Sequence, residues 1–257
     1  MPKKSSPAIR LAIAVPTYNE AKNIPKLIPQ IKKVVLKTGV PCTLLIIDDN
    51  SPDGTGAIAD KFAAAEKTKD FSVKVLHRKG KEGLGKAYVA GLKELLKQDF
   101  TYIMQMDADF SHNPKYIQNF VDEARKGKDF VAASRYMKGG KIVGWGLHRR
   151  ILSFGGNIYT RLFLGNRITD YTNGLNMFSA ELLRKVNTNT LDSSGYGFFI
   201  ELKYTALHHA KNFAQIPIVL TDRQHGKSKL PRNTIFINLL LVPRLRLARL
   251  KKSKANK

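Results

Sequence analysis

The stretch TLLIIDDNSPDGTG (43–56) sets an unbroken apolar run directly before a cluster of polar turn formers. Apolar residues at consecutive rather than alternating positions read as a strand covered on both faces. Ile58 and Phe62 then follow at helical spacing. The same unit recurs on either side. IRLAIAV (9–15), VKVLH (73–77), TYIMQMD (101–107) and FVAAS (130–134) are further buried strands, while Ile24, Leu27, Ile28, Ile31 and Val35, then Ala87, Gly91 and Leu95, keep helical spacing between them. Such alternation predicts an α/β fold: a mostly parallel sheet flanked by helices on both faces. Ligands of such sheets sit beyond the carboxyl ends of the strands, so the chemistry belongs in PTYNE (16–20), DDNSPDGT (48–55), HRKGKEGLGKA (77–87) and DADFSH (107–112).

After Arg135 the alternation weakens. GLHRRILSFGGNIYTRLFLGNR (146–167) reads as a basic amphipathic helix, with Ile151, Phe154, Ile158 and Leu162 on one side. Arg149, Ser153 and Asn157 recur every four residues and share another face. A short strand near LNMF (175–178), helices at 181–186 and 198–210, and a last strand FAQIPIVL (213–220) complete the pattern before a basic tail.

The 257 residues, 43% hydrophobic, suffice for one large domain with a substantial core. The single cysteine, Cys42, excludes an intrachain disulfide framework and any multi-cysteine zinc site, and its place in a strand makes it an apolar filler. The formal charge is +24, and it is polarised. Residues 130–169 hold seven Lys/Arg and residues 223–257 hold eleven, neither segment containing an acid. Such a surface suits anionic partners: a membrane, phosphates or a nucleic acid. The nucleic-acid reading leaves the loop acids unexplained. The basic start MPKKSSPAIR is followed by no signal-peptide apolar core, and the longest uncharged run, 233–243, falls short of the roughly 18 residues a span requires. A peripheral protein at the cytoplasmic face of a membrane, with no signal peptide and no transmembrane helix, is the expectation.

In MQMDADFSHNP (104–114), Asp107 and Asp109 stand two apart; in an extended chain both point the same way and can address one cation. Mg²⁺ is commonly held by one or two carboxylates plus waters and substrate phosphates. A lone D-x-D is equally the composition of a solvated turn. Two rival motifs fail. GKEGLGKA (80–87) matches a phosphate-cradling loop until Ala87, where the metal-binding hydroxyl is missing, and the calcium-loop pattern over 49–60 follows a strand, contains Pro52 and ends in Asp60 instead of Glu.

The set is more specific than its members. VPTYNE, IIDDNSPDGTG, GKEGLGKA, MDADFSH, SRYMKGG, RRILSFGGN, DYTNGLNMF and TDRQHGKSKL occur in an order and spacing that resembles the polyprenyl- or dolichyl-phosphate mannose synthases, inverting family 2 glycosyltransferases. The resemblance covers about residues 9–230 and departs at NGLNMF, where Asn176 stands at a position often occupied by Arg.

The resemblance implies a single glycosyltransferase-A domain (nucleotide-diphospho-sugar transferase, Rossmann-like) over residues 8–222, and a basic donor-closing loop with an amphipathic, membrane-associating tail over 223–257. It implies transfer of mannose from GDP-mannose to the phosphate of a membrane polyprenol, with a polyprenyl-phosphate glucosyl- or N-acetylhexosaminyltransferase using a UDP-sugar as the alternative. Pro16, Tyr18 and Glu20 would lie beside base and ribose, Ile47 and Asp49 would contact the base, and Ala108 would complete the donor wall. Asp107 and Asp109 would hold Mg²⁺ or Mn²⁺, with Ser111, a water or His112 as third ligand. Arg135 would lie between donor and acceptor phosphates, Arg149 and Ser153 would receive the lipid phosphate, and Arg223 and Lys229 would close over the donor diphosphate. A small transmembrane subunit is a further partner implied by the resemblance. The acceptor phosphate, with a second pKa near 6, is already ionised at neutral pH, so no strong general base is required; Asp109 then acts through the metal.

Overall fold

The first apolar run forms β1 (Leu11–Thr17), and its five leading residues are completely buried. Odd and even positions serve different cores: Leu11, Ile13 and Val15 face one side, Ala12 and Ala14 the other. Both faces of the strand are therefore covered, which is why its apolar residues run consecutively. The protein is described by a computed structural model covering residues 8–188, 191, 195–222 and 234–255.

From β1 the chain alternates as expected through α1 (Ile24–Thr38), β2 (Cys42–Asp48), α2 (Thr55–Ala65), β3 (Phe71–His77), α3 (Leu84–Leu96), β4 (Tyr102–Gln105), α4 (Ile117–Arg125) and β5 (Phe130–Ser134). Then come β6 (Lys141–Val143), α5 (Leu147–Leu164), β7 (Asn176–Ser179), α6 (Ala180–Val186), α7 (Tyr196–His209), β8 (Phe213–Pro217), β9 (Val219–Thr221) and α8 (Thr234–Ala255). Seven strands form one sheet in the order β3-β2-β1-β4-β7-β5-β8, and only β7 runs against its neighbours. In α1 the spaced residues Ile24, Leu27, Ile28, Ile31 and Val35 are the buried face, and Gly39, at φ 66, ends the helix. On the opposite face α3 lies so close to β2 that a Cβ on Gly91 would meet the Ile47 Cδ1 at 2.2 Å. Cys42 is buried, and burial pushes its thiol upward, consistent with an apolar filler.

Two expectations about elements are corrected. β4 stops at Gln105, and Phe110, with φ 63, sits in the bend that follows. Asp107 and Asp109 thus share a turn rather than one side of a strand, and strand alternation does not explain their common direction. The final strand is two strands: Pro217 ends β8, and β9 leaves the main sheet to pair with β6, a three-residue strand that the sequence did not signal. The apolar side of α5 points outward, with Ile151 61% and Leu162 76% exposed, whereas Asn157 and Thr160 are buried. Asn157 holds the inward side in place, because its side chain satisfies two backbone groups of the following segment, donating to the Thr169 carbonyl (2.5 Å) and accepting from the Tyr171 N–H (2.9 Å).

Candidate active site

Two loops at the carboxyl edge are tied to each other before either meets a ligand. The Asn19, Glu20 and Ala21 N–H groups donate to Ser51 Oγ (3.0 Å), Thr55 Oγ1 (2.8 Å) and an Asp53 carboxylate oxygen (3.1 Å). Burial raises the Asp53 carboxyl, but hydrogen bonds from Thr55 and Ala21 outweigh it and leave it below the ordinary carboxylate range. The polar run NSPDGT is therefore largely scaffold. It fixes the β1 loop against the β2 loop.

Beyond these loops lies a cleft of about 450 Å³. Pro16, Tyr18, Glu20 and Asp49 line it on the side of β1 and β2; Asp107, Ala108, Asp109 and Ser111 line it from the loop after β4; Arg135 and Arg149 enter from the far side. Ile47 departs from expectation. It is fully buried against Gly91 between β2 and α3, so its side chain belongs to the core and not to the cleft wall. Asp49 is paired with Arg78, which also holds Glu82 (2.5 Å). Burial raises the Asp49 carboxyl, against the opposing pull of Arg78. Lys81 sits 4.5 Å over the Tyr18 ring, at the cleft's edge.

The acids of the β4 loop are held from behind. Tyr88, stacked on Phe198 and completely buried, donates its hydroxyl to Asp107 Oδ1 (3.1 Å). Burial, then the nearby Asp107 charge, raises the Tyr88 phenol well above its usual value, so it remains a donor. The buried His112 ring accepts the Asp107 N–H on Nδ1 (3.1 Å), and the Ser111 N–H donates to Asp109 Oδ1 (3.0 Å). His112 Nδ1 is thereby committed to shaping the turn and is a poor candidate for third ligand. Among the described residues no group of three or more His, Cys, Asp or Glu could enclose a metal. Two carboxylates with a neighbouring hydroxyl fit an ion that takes its remaining ligands from water and substrate phosphates.

Arg135 is anchored by a residue far along the chain. Its backbone N–H and Nε donate to Asp170 Oδ2 (3.1 and 2.7 Å), and Nη2 donates to Asp170 Oδ1 (2.9 Å) and Thr172 Oγ1 (2.6 Å). Burial raises the Asp170 carboxyl, but Arg135 and Lys203 overcome this and bring it to about 2. Arg135 also borders a second cavity of about 250 Å³ beneath α5 and α8, which shares Arg135, Trp145, Arg149 and Thr172 with the cleft and is lined by Ser153. Arg149 lies over the Trp145 ring at 3.8 Å and donates to Asp222 (3.0 Å), while Ser153 is joined to the Tyr136 hydroxyl (2.7 Å). Arg149 thus stands where the two cavities adjoin, with Ser153 on the wall of the second. Arg223 and Lys229 lie outside the described residues.

The family model for glycosyl transferase family 2 matches residues 12–186, the segment that builds most of this cleft. The chain belongs to glycosyl transferase family 2. It is a glycosyltransferase, with the glycosyltransferase-A fold. This glycosyltransferase is 36% identical over 234 residues to a polyprenol monophosphomannose synthase of Mycolicibacterium smegmatis, covering 91% of this chain and 86% of that one. It is likewise 36% identical over 222 residues to an undecaprenyl-phosphate mannosyltransferase of Micrococcus luteus, covering 86% and 88% of the two chains. Among solved structures it superposes on glucosyl-3-phosphoglycerate synthase of Mycobacterium tuberculosis, in complex with Mn²⁺, UDP and glucosyl-3-phosphoglycerate, with a TM-score of 0.62 at 20% identity over 94% of this chain and 80% of that one. Mannosyl-3-phosphoglycerate synthase of Rubrobacter xylanophilus gives 0.62 at 17% identity, over 96% and 75%.

Several parts of the glycosyltransferase's site escaped the sequence reading. Tyr88 looks like core, and it is core whose hydroxyl also holds Asp107. Asp170, Trp145 and Asp222 lie outside the polar loops of the alternating half. The signals available were Trp145, the only Trp in the chain and amid a basic stretch, and the motifs DYTNGLNMF and TDRQHGKSKL, which contain Asp170 and Asp222.

Proposed function

We propose that this glycosyltransferase moves mannose from GDP-mannose to the phosphate of a membrane polyprenol, with inversion at the sugar carbon. The observation that carries the proposal is the junction of the two cavities. An acid-lined cleft suited to a metal-bound diphosphate opens, past Arg135 and Arg149, into a largely apolar cavity under α5 and α8. The two 36%-identical relatives, named for mannosyl transfer to polyprenol phosphates, support the choice of substrates.

In this reading Tyr18, Glu20 and Asp49 hold the nucleoside, with Pro16 and Ala108 forming wall. Asp107 and Asp109, with Ser111, would hold Mg²⁺ or Mn²⁺, which would supply positive charge against the departing nucleoside diphosphate. Arg135, fixed in orientation by Asp170, presents a charged donor edge between the two phosphate positions. Arg223 and Lys229, outside the described residues, would add positive charge for the donor diphosphate. Arg149 and Ser153 orient the acceptor phosphate, whose own oxygen attacks the anomeric carbon as the sugar–diphosphate bond breaks. That oxygen is already ionised, so no residue must take a proton from it.

Reaching a lipid phosphate requires contact with the bilayer. No helix among the described residues is long and apolar enough to cross a membrane. The outward apolar stripe of α5, with exposed Leu239, Leu240, Leu247 and Leu250 of α8 and the basic residues between them, suits peripheral binding at the cytoplasmic, anionic face. A small transmembrane partner subunit would dock at the same face.

The deciding assay incubates purified protein with Mg²⁺ or Mn²⁺, a polyprenyl phosphate and a panel of labelled nucleotide sugars. The expected product is an acid-labile mannolipid formed from GDP-mannose. Transfer from a UDP-sugar instead would overturn the donor assignment, and absence of any lipid product the acceptor assignment.

A further inference from the structure

Lys203 of α7 is completely buried, an unusual state for a lysine, and none of the eight motif segments quoted above includes it. Its Nζ donates to the backbone carbonyl of Asp170 (2.9 Å). The same Asp170 grips Arg135 through its carboxylate. Among the described residues, the charged groups acting on Lys203 are Asp170, which favours its charge, and Arg135, which opposes it. Asp170 reaches it from the segment between α5 and β7, and Arg135 from the end of β5. Together the three side chains offer two cations against one carboxylate. The Arg135 end of this cluster borders both cavities.

We propose that Lys203 is a positioning residue whose ammonium answers the phosphate received at Arg135: it braces Asp170, and it takes up a proton from solvent when an anion fills the cleft. The inference rests on the phosphate-binding role of Arg135 proposed above. The physics is linkage. Burial, the largest influence, and Arg135 together lower the Lys203 ammonium to about 7 despite Asp170, so near neutral pH a sizeable fraction is uncharged. A phosphate beside Arg135 adds negative potential to a site of low dielectric and favours the charged form. Occupancy and protonation must then promote one another equally. The proton is drawn from solvent, and no bond is made or broken.

Titration calorimetry in two buffers of different ionisation enthalpy reads the proton directly. GDP with Mg²⁺ is the probe, at about pH 8, where a terminal phosphate with a second pKa of about 6 is already ionised. If the bound nucleotide raises the ammonium by about one pKa unit, uptake on the order of 0.4 proton accompanies binding. Lys203→Gln, which keeps a donor for the Asp170 carbonyl but holds no charge, is expected to bind with no uptake. Binding without uptake in the natural protein, or equal uptake in the variant, would overturn the proposal. UDP is run in parallel, because the effect belongs to the phosphates and not to the base. Uptake with UDP alone would retire GDP-mannose and leave the Lys203 role standing. Should Lys203→Gln fail to fold, the Lys203 side-chain NMR signal of the natural protein, titrated with and without GDP and Mg²⁺, decides the matter: its midpoint must rise with the nucleotide, and an unmoved midpoint sinks the idea.

Discussion

Asp170 meets Arg135 along one edge of the guanidinium, with Nε 2.7 Å from one carboxylate oxygen and Nη2 2.9 Å from the other, and the pair is almost wholly out of water. This two-point grip fixes the plane of Arg135 as well as its place. Removing the acid leaves the buried Arg135 guanidinium without its carboxylate, so Asp170→Ala is expected to lose about 3–5 kcal/mol of unfolding free energy. Any folded remainder should be nearly inactive. Urea denaturation checks the first statement, and a loss below about 1 kcal/mol would show that the pair is not the clamp described.

The two buried charges beside Arg135 push stability in opposite pH windows. Asp170 has a carboxyl lowered to about 2, so its contribution is complete above the ordinary carboxylate range and fades as pH falls toward that value. Lys203 is lowered to about 7, so above that pH the unfolded chain holds the proton more readily and stability rises with pH until the ordinary lysine range. The expected slope from this group is at most about 1.4 kcal/mol per pH unit. Comparing the natural protein with Lys203→Met from about pH 7 to 9 isolates it, and parallel curves would count against the assignment.

Support behind Asp107 and Asp109 is measurable by degrees. Asp109→Asn is expected to weaken metal-dependent nucleotide binding along with turnover. A variant that kept metal binding yet lost all turnover would point to a base and not a ligand. Tyr88→Phe removes one hydrogen bond to a charged group, worth about 1.5–3 kcal/mol, and leaves the stacking on Phe198 intact. Its activity should fall about tenfold or somewhat more, mostly recovered at high metal concentration.

On the acceptor side, Arg149→Ala should raise the KM for polyprenyl phosphate about tenfold or more while leaving nucleotide affinity almost unchanged. Trp145→Leu, which removes the surface under that guanidinium, should act in the same direction but less strongly. Equal effects on both substrates would remove Arg149 from the acceptor side.

The outward stripe of α5 makes a separate prediction. Replacing Ile151 and Leu162 together by Glu should reduce binding to anionic vesicles strongly while leaving the thermal midpoint nearly unchanged, because both side chains already face water. Undiminished vesicle sedimentation would place the membrane contact elsewhere.

What the sequence disclosed was what repeats locally. Consecutive apolar runs and the spacing of Ile24, Leu27, Ile28, Ile31 and Val35 specified strands and a helix face because both follow from neighbours within a few residues. Polar loops after strands located Tyr18, Asp49 and Asp107, since a parallel sheet gathers its strand ends at one edge. Ile47 was misplaced because nothing local tells a wall residue from a core one; the contact that buries it comes from Gly91 on another element. Asp170 and Lys203 stayed hidden for the same reason: they are joined to each other across 33 positions, and Asp170 is joined to Arg135 across 35. The apolar side of α5 was visible, but amphipathicity cannot say which side faces in, and Asn157 decided that through bonds to Thr169 and Tyr171.

The antiparallel β7 has a consequence for how the chain is made. It follows β4 and β5 in sequence but lies between them, so those two strands have no direct pairing and the middle of the sheet stays open until residues 176–179 arrive. The unit from β1 to β3 can assemble early from contacts of moderate separation, whereas joining the acids of the β4 loop to Arg135 must await this late insertion. A ribosome-bound chain stopped short of β7 would therefore hold each half of the cleft without the catalyst, and pulsed hydrogen exchange should find β5 gaining protection only together with β7.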